Sequence, residues 1–167
     1  MKFTEMDSPL GRLTLAASER GLAGVYFEDH RHFKGIVGWQ EDNEHEVLIL
    51  AQQQLAEFFA GTRTEFELPL DLSAGTGFQQ QVWRALQTIP FGATQSYGAL
   101  AKQIGNPQAV RAVGSANGRN PLSIVIPCHR VIASNGALTG YAGGLKNKQS
   151  LLKFEADKRQ SLCLHIT

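Results

Sequence analysis

Between Leu72 and Phe78 the chain runs Ser73-Ala74-Gly75-Thr76-Gly77, and the sign of its charge reverses across that stretch. Residues 1–77 hold six Lys/Arg against thirteen Asp/Glu, a net of −7, whereas residues 78–167 hold ten against two, a net of +8. Small, flexible residues at such a boundary divide the chain into one part over 1–72 and another over 77–167. Either the second part meets a polyanion, or the two parts neutralise each other across an interface. The whole-chain charge of +1 conceals this choice.

Composition excludes several classes. At 167 residues, 43% hydrophobic and 19% charged, the chain suits a soluble globular protein with one good core or two small ones. No apolar run approaches the ~18 residues of a membrane span, and Met1–Glu5 lacks the apolar segment of a signal peptide. A cytoplasmic location with no membrane contact is expected. The two cysteines, Cys128 and Cys163, sit in different contexts, so a structural disulfide is not expected. No C-x-x-C and no His/Cys cluster at ligand spacing is present, and no metal is expected. His30 and His32 read as a solvated loop. Cys163 and His165 read as packing or exposed tail.

The first part reads as a small sheet with one helix. A turn at Asp7–Gly11 precedes a strand over Arg12–Ala16, and a second turn at Glu19–Gly21 leads to a strand over Leu22–Phe27. Asn43 and Glu46 resemble a capping box for a helix over 44–60 with Gly61 as its stop. Phe66–Leu72 alternates and is expected to join the sheet. Nothing chemical stands out here, and this half reads as scaffold.

The second part is mostly helical. Thr76 and Gln79 form a second capping box, ahead of a helix with Phe78, Val82, Ala85, Leu86 and Ile89 on one face. Ser96 caps the next helix, whose face is Tyr97, Leu100, Ala101 and Ile104. Gly105 turns the chain, Asn106 caps again, and Pro107 opens a helix over 107–116. Two short helices joined through glycine fit a DNA-binding helix–turn–helix or an ordinary helical hairpin. The second of them is small-sided, with Ala109, Ala112, Gly114, Ser115 and Ala116, and carries one long cation, Arg111. A slim helix can approach a partner closely.

The chemistry concentrates in Ile126-Pro127-Cys128-His129-Arg130-Val131-Ile132, reached through the strand-like run Leu122–Ile126. A lone cysteine is either a small buried hydrophobe or a nucleophile. Here His129 offers a base and Arg130 adds positive charge. Neighbours in an extended segment point to opposite faces, so the thiol and imidazole need a bend or a bridging water; the water is favoured. Glu155 is the candidate to orient His129, against a surface pairing with Lys158 or Arg159. The loop Thr139–Gly144 is either a plain turn or a close approach of backbone to a ligand.

Together these motifs resemble the bacterial O6-alkylguanine-DNA alkyltransferases, also called methylated-DNA–protein-cysteine methyltransferases. The resemblance rests on 126–132, Tyr97, the Ala-Val-Arg-Ala-Val-Gly run at 109–114, 117–121, 140–144 and 151–155. It covers essentially all of 76–156, whereas residues 1–72 match only in length and general pattern. It implies an α/β fold with a ribonuclease-H-like first part and a helix–turn–helix catalytic second part. The partner would be double-stranded DNA containing O6-alkylguanine, met by a monomer through the minor groove, with cooperativity on DNA left open.

The resemblance also assigns roles. Arg111 would fill the stack in place of the rotated nucleotide, and Tyr97 would help turn it out and protonate the leaving guanine. Cys128 would accept the alkyl group, with His129 as base through water and Glu155 orienting it. The carbonyls of Cys128 and Val131 would accept from the base's amino group, and backbone at Tyr141 and Ala142 would wall the pocket. Arg130 is grouped with the substrate-binding residues. Asn120 would brace the turn between the helices and the thiol. No cofactor is implied, since the acceptor is the protein itself. Zinc-binding relatives use N-terminal cysteines that this chain lacks, and some relatives carry Ser where Ala142 stands. A damage-recognition relative without the acceptor cysteine is disfavoured by Cys128. An unrelated cysteine hydrolase would need neither the slim helix nor Arg111.

Overall fold

Three antiparallel strands open the chain: β1 (Lys2–Ser8), β2 (Gly11–Ser18) and β3 (Gly21–Phe27). A two-residue β4 (Gln40–Glu41) adds in parallel to β1, giving the order β3-β2-β1-β4. The computed structural model describes residues 1–166, with side chains described through Ser161. Cys163 and His165, read above as packing or tail, lie outside the described side chains. β2 and β3 match the expected hairpin. β1 was not foreseen; of its residues only Phe3 and Thr4 are buried, so its apolar signal is thin.

Helix α1 (Glu46–Phe59) lays Leu48, Ala51, Leu55 and Phe58 on the sheet. It starts two residues later than its sequence suggests, because Asn43 is not its cap. The Asn43 Oδ1 instead accepts from the Thr4 hydroxyl at 2.6 Å, and the N-cap His45 makes no side-chain cap bond. Phe66–Leu72 does not form a strand. It runs beside β3 through one bridge, Leu22 to Leu70, held by Leu22 N to Pro69 O (2.7 Å) and Asp71 N to Leu22 O (2.8 Å). Pro69 has no N–H to donate, which keeps the segment from extending as a ladder. Gly21 is required at this approach: its φ is +148°, and a Cβ there would lie 2.5 Å from the Pro69 carbonyl oxygen.

Helix α2 (Gly77–Leu86) carries the capping box that Thr76 and Gln79 foretell, with both reciprocal bonds present. Helix α3 (Tyr97–Gln103) is capped by Ser96, whose Oγ accepts from Ala99 N at 3.0 Å. Helix α4 spans Val110–Gly118, three residues later than expected. Residues 106–109 form a turn, and neither Asn106 nor its N-cap Ala109 supplies a side-chain cap. The Trp83 indole donates to Ala116 O at 2.8 Å and ties α2 to α4. The last helix, α5, spans Leu145–Ile166. A short parallel pair, β5 (Gln95–Ser96) with β6 (Val131–Ile132), joins the start of α3 to the residues after the thiol.

The two halves share one apolar core. Its seam is aromatic: the Phe58 ring lies 5.6 Å from Phe66, 5.9 Å from Phe91 and 5.5 Å from Phe154. Among the described residues every salt bridge stays within its own half, as Arg12 with Glu5 and Asp7, Arg63 with Glu57, and Arg130 and His129 with Glu155. The opposed charges are therefore not consumed at the seam. Because Phe58 serves both halves, Phe58→Ala should cost about 3–5 kcal/mol and lower both in one transition. Urea unfolding followed by far-UV dichroism and tryptophan fluorescence checks this; separated transitions would contradict a shared core.

Candidate active site

The run Leu122–Ile126, expected to be a strand, is instead wound into turns. Val125 N bonds Ser123 O at 2.8 Å around Ile124, the one non-glycine residue at positive φ among the described residues (+74°). Cys128 N bonds Ile126 O at 2.8 Å around Pro127, at φ −80° and ψ 60°, an inverse γ-turn. A 3-10 turn over Cys128–Arg130 follows directly. The backbone does bend between neighbouring Cys128 and His129, but no direct hydrogen bond joins thiol and imidazole. A β-branched residue at positive φ costs about 1–3 kcal/mol, so the surroundings must enforce it.

Two clamps enforce it. Asn120, 1% exposed, accepts from Leu122 N through Oδ1 (2.9 Å) and donates Nδ2 to Ile126 O (2.8 Å), closing the turn from inside. From outside, β3 takes Pro121–Ser123 along its free edge: Val25 N donates to Pro121 O (2.8 Å) and Ser123 N to Val25 O (3.2 Å). The first half, read as scaffold, therefore sets the segment that leads to the thiol.

Behind Cys128 lies a buried charged group. Glu155 on α5 accepts from Arg130 twice, Nε to Oε1 at 2.8 Å and Nη2 to Oε2 at 3.0 Å, and pairs with His129 Nε2 at 2.7 Å. Gly92 N adds a fourth contact at 3.3 Å. Burial alone would raise the Glu155 carboxyl. The hydrogen bonds and charges of His129 and Arg130 outweigh it and hold the group at about 2. Burial drives His129 below its ordinary value, with Glu155 opposing. The pair is best described as Arg130⁺ with Glu155⁻, beside a neutral imidazole. An ionised carboxylate only accepts, so His129 carries its proton on Nε2 and offers the Nδ1 lone pair. That Nδ1 is buried without a hydrogen-bond partner among the described residues.

Arg130 needs correction. Expected among the substrate-binding residues, it is 5% exposed, spends Nε and Nη2 on Glu155, and donates Nη1 to Ile89 O at 2.7 Å. Each of its three guanidinium nitrogens donates to a partner inside the protein. The alternative surface pairing of Glu155 with Lys158 or Arg159 is likewise absent among the described contacts; Arg159 donates to Gly92 O instead.

The Cys128 thiol is 4% exposed, and burial pushes it up to about 11, against lowering by the Asn120 side chain and the Lys148 charge. The resting group is the thiol. Tyr141 from the glycine loop stands close by: burial first, and Cys128 next, raise its hydroxyl well above 10.0. Gly143 lets that loop sit on the first half, since a Cβ there would lie 2.4 Å from the Phe27 ring. Arg31 N donates to Ala142 O at 2.8 Å from the same side.

Two further groups escape a reading of the sequence. Lys148 is fully buried and donates Nζ to Val131 O (2.6 Å) and Thr139 O (3.1 Å), binding the loop to the segment after the thiol. Its spacing from Leu151 and Glu155 on one helical face was the available signal. Asn117, on the inner face of α4, donates Nδ2 to Cys128 O at 3.4 Å. The Cys128 carbonyl thus accepts from both Asn117 Nδ2 and the Val131 N–H, whereas the Val131 carbonyl accepts from Lys148 Nζ and keeps a second lone pair. Of the remaining expected residues, Tyr97 opens α3 and its hydroxyl accepts from Thr139 Oγ1 at 2.9 Å. Arg111 projects from the exposed face of α4 with Ala112 and Ser115. Among the described residues no group of three His, Cys, Asp or Glu could hold a metal, and no helix is long and apolar enough to cross a membrane. His30 is buried rather than solvated, its Nδ1 accepting from His32 N at 3.2 Å.

The fold and site define an α/β protein with a buried thiol, followed in sequence by a glutamate-bound histidine, beside a slim-helix pair. The 6-O-methylguanine DNA methyltransferase ribonuclease-like domain matches residues 1–72, and the DNA binding domain of the same name matches 77–157. A methylated-DNA–protein-cysteine methyltransferase of Mycolicibacterium paratuberculosis is 50% identical over 93% of this chain and 92% of its own. The constitutive one of Bacillus subtilis is 49% identical over 84% and 86%. The crystal structure of Mycobacterium tuberculosis OGT in complex with DNA superposes with a TM-score of 0.86 at 46% identity, covering 95% of this chain and 94% of that one. The chain belongs to the 6-O-methylguanine DNA methyltransferase family.

Glu155→Gln would leave Arg130 buried without its counter-charge and should destabilise by about 3–5 kcal/mol. The sign with pH follows from a folded value depressed to about 2 from 4.5: the contribution is complete above 4.5 and is lost as pH falls toward 2. Urea unfolding across pH should therefore show the gap between the native protein and Glu155→Gln constant above about pH 5 and shrinking below it. A gap independent of pH would contradict the ionised pair.

Proposed function

We propose that this protein repairs O6-alkylguanine in double-stranded DNA by moving the alkyl group irreversibly onto Cys128, once per molecule. The observation that carries the reading is a buried thiol followed in sequence by a histidine held at 2.7 Å on a buried glutamate that Arg130 also clamps. This is a nucleophile with a base in reserve, and a thioether formed on it is a stable end point.

The exposed face of α4 enters the minor groove, where its small side chains permit close approach. Arg111 takes the place of the rotated nucleotide in the stack, and Tyr97 at the start of α3 crowds the strand and favours rotation. Rotation is required because a guanine O6 alkyl group inside a duplex cannot meet a buried sulfur. Backbone at Tyr141 and Ala142 walls the base, and its amino group donates to the Val131 carbonyl, which has a lone pair to spare, and shares the Cys128 carbonyl with the weak 3.4 Å bond from Asn117. His129 Nδ1 takes the thiol proton through a water. The sulfur then forms a bond to the alkyl carbon as the carbon–O6 bond breaks, and its electron pair passes to the purine. Tyr97 protonates the leaving ring, which departs as guanine, and Cys128 remains a thioether. The imidazolium formed at His129 lies against Glu155, whose position and charge lower the cost of that proton transfer. Alkyl groups on O4 of thymine fit the same displacement.

The net +8 of the second half, unconsumed at the seam, supports a DNA partner. Incubation with an oligonucleotide duplex containing O6-methylguanine should add one methyl group per protein, located on Cys128 by peptide mass spectrometry. Cys128→Ala should accept none. Repeated turnover, or methyl found elsewhere than Cys128, would overturn the proposal.

A further inference from the structure

Next to the Tyr141 wall of the thiol pocket, a cleft of about 390 Å³ opens between the two halves. Its volume lies in the range of small-molecule sites, ~300–1,000 Å³. Arg119 and Ser115 reach it from α4, Tyr141 and Ala142 from the glycine loop, and Arg31 and His32 from the loop after β3. The bond from Arg31 N to Ala142 O at 2.8 Å fixes that last loop against the pocket wall. Both arginines are exposed, and neither guanidinium makes a salt bridge or a hydrogen bond among the described residues. No acid lines the cleft, although Glu28 and Asp29 lie just upstream in sequence. The three cationic or protonatable residues line the same cleft, and His32 is lowered first by burial, then by the charges of Arg119 and Arg31.

Like charges gathered without a counter-charge repel, and an anion placed between them removes that repulsion. A planar guanidinium suits two oxygens of one phosphate. We propose that Arg31 and His32, from the first half of the chain, join Arg119 in holding a phosphodiester of the damaged strand at the mouth of the alkylguanine pocket. This rests on the repair reading above and extends it, because it makes the N-terminal half part of the DNA site. The position beside Tyr141 selects a phosphate within a nucleotide or so of the rotated base. Two long, exposed arginines supply the strength, and the backbone bond to Ala142 couples phosphate capture to the loop that walls the base.

The test uses the full chain with Cys128→Ala, so that binding is read without transfer. Duplexes carry one O6-methylguanine and, at each neighbouring linkage in turn, an uncharged methylphosphonate. At one linkage the neutral substitution should weaken binding roughly tenfold. Added Arg31→Ala or His32→Gln should weaken binding to the all-phosphate duplex but cause no further loss on the duplex neutral at that linkage. The slope of log affinity against log salt should fall by about 0.9 per contact removed. Losses that multiply at every linkage, or an Arg31→Ala protein with unchanged affinity and slope, would overturn the assignment while leaving methyl transfer intact. Excess inorganic phosphate that displaced the duplex through Arg31 with no dependence on linkage would reassign the cleft to free phosphate and likewise overturn it. Absence of methyl transfer to Cys128 in the unsubstituted protein would instead remove the repair reading, and this proposal with it.

Discussion

Glu155 is an ionised carboxylate with 1% exposure, and the chemistry proposed for the thiol depends on which group balances its charge. Two cations could do so. If His129 were the partner it would be protonated, and a protonated imidazole cannot accept a proton from Cys128. The two-point contact of Arg130 settles the balance in favour of the guanidinium, which holds its proton at any working pH. His129 is then left neutral, oriented through Nε2, with Nδ1 unused. The buried ion pair is a costly way to add stability. What it gains is a neutral imidazole of defined tautomer beside a buried thiol, the base that the proposed transfer requires.

That arrangement must be delivered to one place, and the sheet does this through its free edge. β3 has β2 on one side and, on the other, two short visitors: Pro69–Asp71 near its start and Pro121–Ser123 near its middle. The second visitor precedes Cys128 by only a few residues. Phe27, at the end of the same strand, lies under Gly143, and the turn beyond it bonds Ala142. One strand therefore positions both the approach to the thiol and the loop facing it. The aromatic seam around Phe58 keeps strand and helices in fixed relation without using the surface charges, which stay available to a polyanion.

Local signals were the legible ones. β2, β3, the Thr76–Gln79 box and the Ser96 cap follow from residues within a few positions of one another, and each stands where its motif puts it. The false starts share one cause. Asn43 and Asn106 look like caps, but a cap is decided by where the chain goes next, and Asn43 is drawn away by Thr4. Phe66–Leu72 and Leu122–Ile126 look like strands because they are apolar. Each makes a single bridge to β3, and prolines at 69 and 121 prevent more. The left-handed Ile124 leaves no trace in sequence, since Asn120 and β3 impose it from a distance. At the site, Cys128, His129 and Glu155 were readable as a chemical set. Arg130 was misplaced because its position beside the thiol says nothing of a partner 25 residues away. Lys148 was hidden in a basic run whose other members face solvent.

The proposed transfer turns on the protonation state of one imidazole, and nitrogen-15 NMR of His129 reads it directly. With histidine labelled on both ring nitrogens, the resting protein at pH 7 should show a neutral ring protonated on Nε2. That signature should persist below pH 6.5, the ordinary histidine value. Replacing Arg130 by Met should shift His129 to the imidazolium at pH 7, as it becomes the sole counter-charge to Glu155. An imidazolium at pH 7 in the native protein, or a neutral ring indifferent to the loss of Arg130, would contradict the assignment of that charge.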